Sequence, residues 1–171
     1  MKIYRDNEQA KLPEFATEGS ACFDLRACFD VGDKVVAYNP QNKKVELPVR
    51  MLGGSKVPAV QIHPMYRVLI PTGLIFDIPK NHVMKIYIRS SMALKNGVTL
   101  ANSTAIIDSD YIDPTYIMIH NVSDILLNIY HDDRIAQAEL CKLEKYNLTE
   151  RKTPPAQKTD RDGGMGSTGT N

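Results

Sequence analysis

An all-β barrel or jelly-roll is the fold class this sequence predicts, and three observations predict it. Short segments rich in β-branched and aromatic residues recur along the chain. Turn-forming clusters of Pro, Gly, Asn and Asp separate them at close spacing. Helical periodicity is weak. The strand-like segments are VVAY (35–38), KVELPV (44–49), YRVLIP (66–71), HVMKIYI (82–88), YIMIHN (116–121), ILLNIY (125–130) and AQAELCKL (136–143). Between them stand YNPQNK, LGGSKVP, PTG, PKN, NVSD and HDD. The helical candidate is SSMALKNG (90–97), short, with Ser90 as its N-cap and Gly97 as its close.

At 171 residues the chain suits one domain with a real core. Lys+Arg 21 against Asp+Glu 20 leaves a formal charge of +1. Such a balance exerts no general pull on nucleic acid or an acidic membrane, so a phosphate ligand must be held by locally placed groups. The three cysteines form no CxxC, and neither an apolar leader nor a membrane-length run is present. These features predict a reduced, cytoplasmic protein. Residues 1–145 are expected to form the β-rich core. The segment from 146 to 171 has almost no large apolar residues and is rich in Pro, Gly, Ser and Thr. It cannot offset its ordering entropy alone, and reads either as a disordered tail or as a flexible arm that orders on a ligand or a neighbouring subunit.

Four polar clusters interrupt the β pattern. SACFDLRA (20–27) carries Asp24 among apolar neighbours. IRSSMALKNG (88–97) places Arg89, Ser90 and Ser91 at a helix start, which suits either a phosphate cradle or a plain cap. LANSTAIIDSDYID (100–113) sets Asn102 six residues before Asp108. In a strand Asp108 and Asp110 would share a face and suit a divalent metal; equally, DSD suits a tight turn. The amide of Asn102 both donates and accepts, as a nucleobase edge requires. DDRIAQAEL (132–140) puts Arg134 and Gln137 where a strand leaves a turn, within reach of a phosphate or simply facing solvent. In the arm, GGMGSTG (163–169) nearly spells a P-loop, but Thr170 stands where lysine is required and no strand–loop–helix surrounds it.

Taken in order, SACFDLRA, RSSMALKNGV, NSTAIIDSDYID, DRIAQAEL and the terminal RDGGMGSTG resemble the five motifs of the trimeric dUTP diphosphatases, or dUTPases. PTGLIFDIP (71–79) is similar to the stretch before the second motif. The resemblance implies a jelly-roll-like homotrimer whose shared sites hydrolyse dUTP to dUMP and pyrophosphate with Mg2+. It implies that Asp108 is the general base for a water attacking the α-phosphorus, that Tyr111 packs on the deoxyribose, and that Asn102 with nearby backbone reads uracil. Arg89, Ser90, Ser91 and Gln137 would bind the triphosphate. Asp24 would organise metal-bound water or an arginine such as Arg134, with magnesium held mainly by phosphates and water. In the arm, Arg161, Met165, Gly166, Ser167 and Thr168 would close over the nucleotide at a neighbouring subunit.

The sequence departs from the family pattern at Cys22, Ala105, Asp113 and Asp132, which replace glycines, and at Met165, which replaces a stacking phenylalanine. Arg161 also lies one residue nearer the glycines than is usual. The stretch at about 38–60 is longer than typical and is expected to be an inserted loop or hairpin, either inert or bound to a protein partner. A dCTP deaminase needs a glutamate after the motif tyrosine, where this chain has Ile112. A silent nucleotide sensor would not need Asp108, and a purely structural β-trimer does not explain the glycine-rich terminus.

Overall fold

In the computed structural model the described residues are 1–160. They form β1 (Lys2–Arg5), β2 (Phe23–Arg26), β3 (Lys34–Tyr38), β4 (Lys44–Pro48), β5 (Arg50–Met51), β6 (Pro58–Ile62), β7 (Arg67–Pro71), β8 (Leu74–Asp77) and β9 (His82–Ile88). Then come α1 (Ser90–Asn96), β10 (Val98–Leu100), β11 (Ala105–Ile107), β12 (Tyr116–Asn121), β13 (Leu127–Tyr130) and β14 (Arg134–Lys142). Every pairing is antiparallel. The strands assemble in the orders β10-β12-β7-β3-β4, β11-β9-β14-β2, β13-β6-β5 and β1-β8, a jelly-roll-like arrangement of packed sheets.

Alternation along the strands builds the core. On β12, Ile117, Ile119 and Asn121 point inward while Tyr116, Met118 and His120 point out. Ile62, Ile70, Leu74, Met84, Ile86, Ile129 and Ile135 are likewise fully buried, each contributing about 1.5–3 kcal/mol of transfer free energy. Asn121 is buried too, and its side chain is satisfied: Nδ2 donates to the carbonyls of Ile62 (3.0 Å) and Ile125 (2.9 Å). Gly73 is required in the PTG turn. Its φ is +65°, and a Cβ there would stand 2.9 Å from both Ala10 Cβ and Cys28 Sγ.

The helix runs where the sequence places it, but its cap differs. Arg89 occupies the N-cap position with no side-chain cap bond, and Ser90 is already the first helical residue. Gly97 closes the helix in the left-handed conformation at φ +60°. The segment at about 38–60 is a hairpin arm, β3–β4, followed by β5 and the start of β6. It is built into the sheets: Tyr38 pairs with Arg67 of β7, and β6 pairs with β13. Residues 144–160 are exposed and carry no regular structure.

Candidate functional site

Asp108 follows β11 directly, and Asp110 lies in a turn closed by the Tyr111 N–H donating to the Asp108 carbonyl at 3.2 Å. Of the two readings of DSD, the tight turn therefore holds and the shared strand face does not. Nor does the loop belong to a β-hairpin. β11 pairs with β9 in one sheet, whereas β12 pairs with β10 and β7 in another, so residues 108–115 cross between sheets. The crossing is braced within itself and tied to β8 at its β12 end. Tyr111 Oη donates to the Pro114 carbonyl (2.9 Å), and the Thr115 N–H donates to the Leu74 carbonyl (2.9 Å).

This crossing opens a cavity of about 300 Å³ lined by Asn102, Asp108 and Tyr111 together with Ile107, Tyr116 and Met118. Asn102 sits in the turn from β10 to β11, next to Ser103 at φ +62°. Burial, then the neighbouring Asp113 and Tyr116, push the Tyr111 phenol above its usual range. Ladder geometry adds a backbone feature. The Thr72 N–H reaches the Thr115 carbonyl (3.1 Å), so alternate residues of this stretch bond toward β7 and the others bond away from it. On that far side the Ala101 N–H takes the Met118 carbonyl at 2.9 Å, the last bond before the chain turns off at Asn102. The paired register of β10 with β12 ends at Leu100–Ile119, which leaves the Tyr116 edge of β12 without a ladder partner beside the cavity.

A second constellation lies on the outer face of the β11-β9-β14-β2 sheet. Asp24 Oδ1 stands 3.0 Å from Arg89 Nε, and Arg134 Nη1 donates to Asp24 Oδ2 at 3.1 Å. Arg89 Nη1 also donates to the Arg134 carbonyl (3.2 Å). Gln137 is opposite Asp24 across the β14–β2 ladder, and Arg134 stands at a register shift between itself and Ala136. Such bulges re-aim side chains. Ser90 is exposed and Ser91 half-buried at the start of α1. Beyond Asp24, an ion-pair relay continues: Asp132 receives Lys11 and Arg26, whose Nη1 also donates to the Asp132 carbonyl (2.8 Å).

The two constellations line different cavities. Asp24 and Arg134 face a polar one of about 510 Å³ shared with Arg5, Lys11, Glu14 and Arg26. Within one chain they are also far apart. The β11–β9 register sets Ile107 against Met84, and Arg89 lies five residues beyond Met84, roughly 16 Å along the strand. The arm residues Arg161, Met165, Gly166, Ser167 and Thr168 fall outside the described residues. Among those described, no cluster of three or more His, Cys, Asp or Glu side chains is disposed to hold a metal, and no helix is long and apolar enough to cross a membrane.

The cavity residues Tyr116, Met118 and Ile107, and the Lys11–Asp132–Arg26 relay, were not singled out as functional from the sequence. A signal did exist for the first pair: Tyr116 and Met118 alternate with buried isoleucines and must share the outer face. No sequence signal brings Lys11 to Asp132.

The fold is that of solved dUTPases. A Staphylococcus bacteriophage 80alpha dUTPase, solved with dUpNHpp, superposes with a TM-score of 0.72 at 17% identity, covering 99% of this chain and 98% of that one. A dUTPase from Streptococcus mutans gives 0.63 at 20% identity, covering 86% and 98%. At the level of sequence, the dUTPase family model matches residues 57–169. The deoxyuridine 5'-triphosphate nucleotidohydrolase of Dinoroseobacter shibae is 33% identical over 95% of this chain and 90% of its own length. Its counterpart in Brucella melitensis is 36% identical over 93% and 85%. The chain belongs to the dUTPase family.

Proposed function

We propose that this protein hydrolyses dUTP to dUMP and pyrophosphate, removing dUTP from the nucleotide pool and supplying dUMP for dTMP synthesis. The observation that carries the proposal is the single cavity holding Asn102, Asp108 and Tyr111. Asp108 is exposed where β11 ends, at the start of a loop braced by its own hydrogen bonds, where a carboxylate can take a proton from a water attacking the α-phosphorus. Tyr111, its hydroxyl engaged by Pro114, presents a fixed ring edge to the sugar. Asn102 and the open β12 edge at Tyr116 offer the donors and acceptors that a uracil edge needs.

Arg89, Ser90, Ser91 and Gln137 bind the triphosphate, with Arg89 and Arg134 held in place by Asp24. Because those residues and Asp108 are separated within one chain, a complete site needs Asp108 from one copy and the Asp24–Arg89–Arg134 group from another. A homotrimer with shared sites supplies that. The arm, through Arg161, Met165, Gly166, Ser167 and Thr168, closes over the nucleotide. Both Asp24 oxygens are engaged by arginines, and the described residues form no carboxylate cage. Magnesium would therefore be held mainly through substrate phosphates and water, and would supply charge neutralisation there.

Pyrophosphate release measured in parallel from dUTP, dCTP, dTTP and UTP, with magnesium and then with EDTA, tests the reading. Selective, magnesium-dependent release from dUTP is the expected result. No release from dUTP, or equal release from all four, overturns it.

A further inference from the structure

The cavity contains a second tyrosine to whose side chain the functional reading gives no task. Tyr116 lines the same wall as Asn102, Asp108 and Tyr111. The two phenols differ in their commitments. Tyr111 Oη is bonded to the Pro114 carbonyl, whereas Tyr116 Oη makes no hydrogen bond among the described residues. The Tyr116 ring is 44% exposed, while Ile117, its neighbour on the same strand, is 1% exposed.

The backbone that carries the ring is paired. Tyr116 pairs with Pro71 of β7 at the start of a ladder that runs on to His120 and Arg67. Pro71 has no N–H to offer, which matches a position whose backbone bonds are directed away from β7. The backbone of Tyr116 is thus fixed, and its ring stands beside an edge that can pair with a base. Leu69, Ala105, Ile106, Ile107 and Met118 supply the apolar remainder of the wall. An aromatic face so placed can cover a base whatever that base's hydrogen-bonding pattern, because every base has a π-face.

We infer that Tyr116 is a further base-binding residue of this nucleotide site, its ring packing on one face of the pyrimidine. The inference rests on the functional reading above. It makes Tyr116 responsible for affinity toward the base and gives it no part in the reacting centre.

The chain contains no tryptophan, so Tyr116→Trp introduces a sole reporter. Titration of that variant with dUMP is expected to change its emission, saturating at the concentration found by calorimetry. 2-Deoxyribose 5-phosphate, which lacks the base, leaves the emission unchanged, as does dUMP added to Tyr4→Trp, a reporter on β1. Calorimetric binding of dUMP to Tyr116→Trp without an emission change overturns the inference. In turnover, Tyr116→Phe keeps the dUTP KM, whereas Tyr116→Ala raises it roughly tenfold or more at unchanged kcat. Equal KM values for the two variants overturn the inference even if the tryptophan variant does not fold. A failure of the unaltered protein to bind dUMP or hydrolyse dUTP removes the functional reading itself, and this inference with it. That outcome is distinct from a site that works without Tyr116.

Discussion

Asp24 holds Arg89 through one carboxylate oxygen, at 3.0 Å from Nε, and Arg134 through the other, at 3.1 Å from Nη1. One side chain thus sets the spacing of two guanidiniums, one from the N-cap of α1 and one from the start of β14. The Asp24 side chain is 18% exposed, so the pairs are less screened than surface ones. Asp24→Asn is expected to raise the KM for dUTP by about tenfold or more, since the arginines lose their common anchor. The affinity for dUMP, which lacks the β- and γ-phosphates, should change far less. Parallel calorimetry with dUMP and dUpNHpp separates these effects. An equal loss for both ligands would show that Asp24 supports the fold rather than the phosphate site.

Asp108→Asn keeps the size and exposure of the side chain and removes its basicity. Turnover of dUTP should fall by about 10²–10⁴, the usual worth of a positioned base, while dUpNHpp still binds. Quenched-flow measurement of a single turnover checks the chemical step directly. An unchanged rate would move the base elsewhere.

Asp132 stands at φ +70°, a conformation that normally favours glycine. Burial raises its pKa, but the hydrogen bond from Lys11 and the charges of Arg26 and Lys11 outweigh that and hold it below the usual carboxylate range. A depressed carboxylate stabilises the fold above its unfolded pKa, and that stability is lost as pH falls through the folded value. The stability difference between the unaltered protein and Asp132→Asn should therefore be largest near neutrality and shrink as the pH drops below about 4. Urea unfolding midpoints at several pH values read this out. A difference that does not vary with pH would mean that the relay contributes nothing through charge.

Tyr87 Oη donates to Glu139 Oε1 at 2.7 Å on the face that also carries Gln137. That bond first, then burial and the charge of Glu139, push the phenol up to about 12. A raised phenol pKa contributes stability below its unfolded value near 10, and the contribution disappears as pH rises toward 12. Spectrophotometric titration at alkaline pH should show one late-ionising tyrosine that Tyr87→Phe removes and that Glu139→Gln brings down. A titration curve left unaltered by either change would refute the assignment.

Much of the fold was legible because alternation is local. In YIMIHN the inward residues announce themselves every second position, and in AQAELCKL they do so at Ala136 and Ala138; the matching strands, β12 and β14, form over those stretches. Strands such as β5, β10 and β11 are only two or three residues long, too short for a period to declare itself. The IIDSDYID stretch shows where reading by pattern stops. Its composition pointed to a reactive carboxylate and equally to a turn, but which strands that turn would join depended on pairing.

The sequence alone determined the chemical inventory: which side chains carry acid, base, guanidinium and amide, in what order, and which of them face outward from their strands. Side-chain type and a two-residue period settle those matters without reference to the rest of the chain. Tertiary structure alone decided that β11 would seek β9 while β12 joined β10 and β7, opening a cavity between them. It also joined Asp24 to Arg134 across 110 residues of chain and Lys11 to Asp132 across 121. The physical reason is that strand pairing is chosen by burying apolar faces contributed from distant parts of the chain, a non-local balance that no short stretch contains.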